Sequence, residues 1–150
     1  MAADFRKLAD NLWVAPQIRP EDIPAAAAMG VTTVINNRPD KEEWGQPAGA
    51  DIEAAAKAAG LDYVAIPVVN GVPFSPEQID AFDAAVAGAK SGVLAFCRSG
   101  TRSTILRSLA AARAGVPVDL VIVDAKAAGY DMGCHRELFD SVALWGANKG

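Results

Sequence analysis

The sequence predicts an α/β fold, a mainly parallel sheet of four to five strands flanked by helices. Three observations carry that expectation. Short apolar or β-branched runs of strand length alternate with alanine-rich stretches of helical length. Gly30, Gly60 and Gly115 each follow a helical stretch, where glycine closes the last turn. Residues 93–96 (Val-Leu-Ala-Phe) are uninterruptedly apolar, as in a strand buried on both faces.

The elements follow in order. Residues 11–15 are a first short strand. Pro20, Glu21 and Asp22 open a helix with proline and acids in its first turn, and Gly30 ends it. Residues 31–35 (Val-Thr-Thr-Val-Ile) are β-branched almost throughout and form the second strand. A long loop, 36–47, is punctuated by proline and glycine and carries a charge cluster and Trp44. Residues 50–59 form a helix stopped by Gly60, and 61–68 form the third strand. After a loop over 69–74, Ser75, Pro76 and Gln78 give an N-cap, a proline in the first turn and a capping-box partner for a helix reaching Lys90. The strand 93–96, its loop and a helix ending near Ala114 follow, then two further helices over 117–128 and 134–145.

Composition narrows the function classes. The 150 residues read as a single domain over 1–150, with no repeat or linker and enough length for a core without disulfides. Apolar residues make up 51% and the net charge is −4, which argues against disorder and against a nucleic-acid partner. No apolar segment reaches membrane-spanning length, and two cysteines without an export signal point to free thiols in the cytoplasm. One histidine and no paired-cysteine spacing leave no metal site, and no cofactor is implied.

The chemistry concentrates at Cys97-Arg98-Ser99-Gly100-Thr101-Arg102-Ser103, where the apolar strand gives way to a helix. Arginines, a glycine and hydroxyl residues are poor core material but suit an anion-binding loop. Backbone N–H groups at a helix N-terminus, with Arg98 and Arg102 beside them, favour a thiolate at Cys97 and cradle an anion bound to it. In an open α/β sheet, ligands bind beyond the carboxyl ends of the strands, and Arg38 also stands at such an end. Cys134 beside His135 reads as a helix-start thiol with an exposed histidine rather than a resolving cysteine.

Three stretches carry a resemblance: residues 36–40 (Asn-Asn-Arg-Pro-Asp), 66–68 (Ile-Pro-Val) and 97–103. Together they resemble the bacterial beta-lactamase-hydrolase-like, or phosphatase-like, family, some members of which are fused to a persulfide dioxygenase. The likeness runs from about Phe5 to Tyr130 and implies the fold of the dual-specificity phosphatases, a cysteine-phosphatase-like architecture.

Two thiolate chemistries are open under that resemblance. Phosphatases of this fold place five residues between cysteine and arginine, commonly with a histidine before the cysteine and an aspartic acid on the loop after the preceding strand. Here four residues separate Cys97 from Arg102, Phe96 precedes the nucleophile, and the loop reads Val69-Asn70-Gly71-Val72 without a carboxylate. General-acid help to a leaving alkoxide is worth about a hundredfold or more, so its absence weighs against efficient ester hydrolysis. Asp40, Glu42 and Glu43 are the first places to look for a substitute. Rhodaneses carry a six-residue loop of the form Cys-Arg-X-Gly-X, similar to Cys97–Arg102, and sulfur transfer needs no acid. The expected activity is therefore a rhodanese-type sulfurtransferase working through a Cys97 persulfide, with thiosulfate or glutathione persulfide as substrate. A phosphatase working on a phosphate ester through a Cys97 phosphocysteine is the alternative, and a non-catalytic anion-binding module is the third class. In either enzyme Cys97 is the nucleophile, Arg102 holds the anion, and Ser103 donates a hydrogen bond to the sulfur. Arg98, Ser99, Gly100, Thr101, Arg38 and Asn37 are the expected substrate-binding residues.

Overall fold

The computed structural model describes residues 4–149. Five strands form one sheet: β1 (Arg6–Ala9), β2 (Leu12–Ala15), β3 (Val31–Asn36), β4 (Asp62–Ala65) and β5 (Gly92–Phe96). Their order across the sheet is β1-β2-β5-β3-β4, with only the β1–β2 pair antiparallel. Among the described residues there are six α-helices: α1 (Ile23–Ala28), α2 (Gly49–Ala58), α3 (Pro76–Gly88), α4 (Thr101–Arg113), α5 (Val118–Ala127) and α6 (Arg136–Lys149). None is long and apolar enough to cross a membrane.

Strand alternation divides the core into two layers. Val14, Ile35, Val93 and Ala95 point to one face and pack with Phe82 of α3, Leu106 and Leu109 of α4, Val121 of α5 and Phe139 of α6. Ala15, Val34, Leu94 and Phe96 point to the other and pack with Ile23 of α1 and Ile52 of α2. Every residue of β5 is buried, as its continuous apolar run predicts.

Several boundaries differ from the sequence reading, and the helix expected from Pro20 begins as a 3-10 turn over Pro20–Asp22, with α1 itself starting at Ile23. The first strand is Arg6–Ala9, which was missed because two of its four residues are charged and it pairs on one side only. The third predicted strand is regular only over Asp62–Ala65, since Pro67 has no N–H to donate. Even so, Ile66 and Val68 still donate to the carbonyls of Asn36 and Asn37, at 2.9 Å each. The final helix starts at Arg136, behind a 3-10 turn at Gly133–His135.

The register sets up the site. Phe96 pairs with Ala15 of β2 on one side and with Asn36 of β3 on the other. The chain segments that leave these three strands therefore emerge side by side at one end of the sheet, and they carry Gln17, Arg38 and Cys97.

Candidate active site

Cys97 follows β5 directly and is fully buried. The chain then turns through Gly100, at φ +92°, into α4. Its backbone N–H points back at the sulfur, with N···Sγ 3.1 Å. Only glycine suits this position: φ lies in the left-handed region, and a side-chain carbon there would collide with the Tyr130 hydroxyl. Tyr130 Oη donates to the Ser99 carbonyl at 3.0 Å, which clamps the loop from above. Thr104 Oγ1 donates to the Gly100 carbonyl at 2.8 Å and fastens the loop to the first turn of α4.

Arg102 is buried in that first turn. Its Nη1 donates to Glu42 Oε2 and to the Val68 carbonyl, both at 2.7 Å, and its Nη2 donates to Glu42 Oε1 at 2.9 Å. No hydrogen bond to oxygen or nitrogen among the described residues uses its Nε. The guanidinium is held protonated first by its bond to Glu42, and then by the charge of Cys97. One edge of the fork is therefore anchored to the protein, while the group as a whole stays in electrostatic contact with the sulfur.

The long loop after β3 supplies the anchor. Asp40 Oδ1 accepts from the Gly49 N–H at 2.8 Å, Gln46 Oε1 accepts from the Glu42 N–H at 3.1 Å, and Gln46 Nε2 donates to the Pro39 carbonyl at 2.9 Å. With Lys41 in the left-handed region at φ +63°, these bonds turn Glu42 inward. Arg38 Nε donates to Glu42 Oε1 at 2.8 Å, so one carboxylate joins two arginines. Those bonds, with Arg102 first, outweigh desolvation and hold the Glu42 carboxyl at a pKa of about 2. At neutral pH it is an anion and has no proton to give.

The expected site residues fall into distinct places. Ser103 is fully buried, and its hydroxyl donates to Asn37 Oδ1 at 2.7 Å instead of to the sulfur. Asn37, also fully buried, donates from Nδ2 to the Ile66 carbonyl at 2.9 Å. Both act as struts between β3, the extension of β4 and α4. Ser99 and Thr101 bond each other through their hydroxyls at 2.9 Å on the outer rim of the loop. Arg98 is exposed and pairs with Glu43 at 3.0 Å. Arg38 lies under the surface, its side chain 2% exposed, with Nη1 bonded to Gln17 Oε1 at 3.1 Å. Cys134 is exposed in the 3-10 turn before α6.

Glu42, expected only as a substitute acid, is instead the anionic anchor of Arg102, and Gln17 and Tyr130 are site residues that the sequence reading does not single out. Gln17 was findable in principle, since it stands two residues past a strand end, as Arg38 does. Among the described residues no group of three or more His, Cys, Asp or Glu side chains is arranged to hold a metal ion.

Comparisons with known proteins give the family and the fold. The family model described as "Beta-lactamase hydrolase-like protein, phosphatase-like domain" matches residues 4–114. A beta-lactamase hydrolase-like protein of Agrobacterium fabrum is 39% identical over 109 residues, covering 73% of this chain and 25% of the relative. The chain thus spans about a quarter of the length of the curated relatives it matches. The crystal structure of a candidate phosphatase from Neisseria meningitidis superposes with a TM-score of 0.83 at 34% identity, covering 93% of this chain and 98% of that one. P. aeruginosa TpbA, in a Cys-to-Ser form complexed with phosphotyrosine, gives a TM-score of 0.67 at 12% identity, covering 97% and 91%. At that identity the likeness is one of fold, the fold of cysteine phosphatases.

Proposed function

The chain belongs to the beta-lactamase hydrolase-like family through its phosphatase-like domain, and on that premise we propose that it is a cysteine-dependent phosphatase. Its substrates are phosphate esters whose leaving groups depart without a strong proton donor. The observation that carries this reading is the pairing of Cys97, with the Gly100 N–H on its sulfur, and an Arg102 anchored by Glu42 through one edge only.

The chemistry follows from the parts. The Cys97 thiolate attacks phosphorus and the ester P–O bond breaks, its electron pair leaving with the alkoxide or phenoxide. Arg102 and the loop amides hold the oxygens of the transferring group, whose charge is spread over three atoms. Water then attacks the phosphocysteine, inorganic phosphate leaves, and the thiolate is restored. Glu42 stays charged throughout, so its part is to fix Arg102 and not to protonate the leaving group. Turnover of p-nitrophenyl phosphate, lost in Cys97→Ser, is the expected result. Absence of turnover by the wild-type protein overturns it.

The family and the structural neighbours favour phosphoryl chemistry, which reverses the order expected from the loop sequence alone. Sulfur transfer stands as the second reading because of one feature: the carboxylate nearest Arg102 is held as an anion, and passing sulfane sulfur from thiosulfate or a persulfide through Cys97 requires no acid. Formation of a Cys97 persulfide in place of a phosphocysteine would support it.

A further inference from the structure

Beside the Glu42 anchor lies a polar cavity of about 220 Å³, lined by Arg38, Glu42, Glu43, Asn70 and Arg98. Three arginines, Arg38, Arg98 and Arg102, meet two carboxylates here, so the cluster carries an excess positive charge apart from Cys97. Glu42 is fully engaged by Arg102 and Arg38. Glu43 is half exposed and lies between Arg98 and Arg38, with Oε2 3.0 Å from Arg98 Nη2 and Oε1 3.7 Å from Arg38 Nη2.

The second of those distances is too long for a hydrogen bond. Arg38 Nη2 is buried and has no hydrogen-bond partner, although its side chain is only 2% exposed and its Nε and Nη1 are both satisfied. Leaving a charged donor buried without an acceptor costs stability, and native structures seldom tolerate it without a use for the group. Here the unused donor faces a half-exposed carboxylate whose other oxygen is bonded to the exposed Arg98 at 3.0 Å.

We propose that Arg38 and Arg98 form a second anion subsite, occupied here by the half-exposed Glu43, which selects phosphate esters carrying a further anionic group on the leaving side. The inference rests on the phosphatase reading for the first anion, which sits at Cys97 and Arg102. The second anion, a carboxylate or a phosphate, displaces Glu43 and supplies the oxygen that Arg38 Nη2 lacks. Guanidinium forks hold either group with paired charge-assisted hydrogen bonds.

Calorimetric binding of three non-hydrolysable probes to the wild-type protein at low salt tests this: phenylphosphonate, 3-carboxyphenylphosphonate and 1,3-phenylenebisphosphonate. At least one doubly anionic probe should bind about tenfold more tightly than phenylphosphonate, and whichever arm tightens identifies the second group. Glu43→Gln should widen that ratio and Arg98→Gln should narrow it. Equal Kd values for all three probes, or a ratio unmoved by both substitutions, overturn the subsite. Turnover of p-nitrophenyl phosphate is measured alongside, so a failure of the phosphatase reading is seen separately from a failure of the subsite.

Discussion

Glu42 and Arg102 meet in a two-point ion pair across 60 residues of chain, Oε2 to Nη1 at 2.7 Å and Oε1 to Nη2 at 2.9 Å. The pair ties the loop after β3 to the first turn of α4, and it fixes the orientation of the arginine that the proposed chemistry needs.

Removing the carboxylate should therefore cost both stability and activity. Glu42→Gln leaves Arg38 and Arg102 without their shared counter-charge in a largely buried setting, and should destabilise the fold by about 2–3 kcal/mol in urea titrations. Turnover of aryl phosphates should fall about tenfold as Arg102 loses its anchor. Unchanged stability together with unchanged turnover would mean that the pair is ornamental.

The same pair gives an acid limb to stability. The Glu42 carboxyl titrates near its ordinary value of 4.5 in the unfolded chain and at about 2 in the folded one. The stabilisation it supplies is complete above about pH 4.5 and is lost as pH falls toward 2. Urea midpoints measured between pH 2 and 6 should drop across that window for the wild type and drop less for Glu42→Gln.

Arg102→Lys should retain the charge but lose the fork. An ammonium cannot meet both Glu42 oxygens and also present a planar edge to a phosphoryl group. A loss of about a hundredfold or more in kcat/KM is expected. Near-wild-type turnover would reduce Arg102 to a helix-start charge.

Gly100→Ala tests the clamp over the sulfur. The substitution meets both a left-handed backbone and the Tyr130 hydroxyl, so the thermal midpoint and the turnover should fall together. Tyr130→Phe removes only the bond to the Ser99 carbonyl and should cost about 1 kcal/mol.

Much of this was legible in the sequence, for identifiable reasons. The β-branched run in β3 and the apolar run in β5 can be read without tertiary help, and so can the Ser75 capping box, where Gln78 N donates to Ser75 Oγ at 3.2 Å. The cysteine loop was legible because arginines and hydroxyl residues after a buried strand have few structural uses. What escaped depends on contacts far apart in the chain. The charged loop over 36–47 has the composition of a solvated excursion, and nothing local says that Asp40 and Gln46 brace it so that Glu42 turns inward. Ser103 lies one residue from Arg102, yet its hydroxyl is directed by Asn37, 66 positions away. Arg6–Ala9 lacked a strand pattern because an edge strand needs an apolar residue only where it meets the core, here Leu8.

The phosphatase reading is tested most directly by the mass of the species that Cys97 carries during turnover. The protein is mixed with p-nitrophenyl phosphate and quenched rapidly in acid, while a second sample is incubated with thiosulfate or glutathione persulfide. Intact-mass and peptide analysis should show a gain of about 80 Da, one phosphoryl group, on the Cys97 peptide of the first sample, absent from Cys97→Ser. A gain of about 32 Da from the sulfur donors, with no phosphoryl adduct and no release of phosphate from the ester, would contradict the phosphatase reading and make Cys97 a carrier of sulfur.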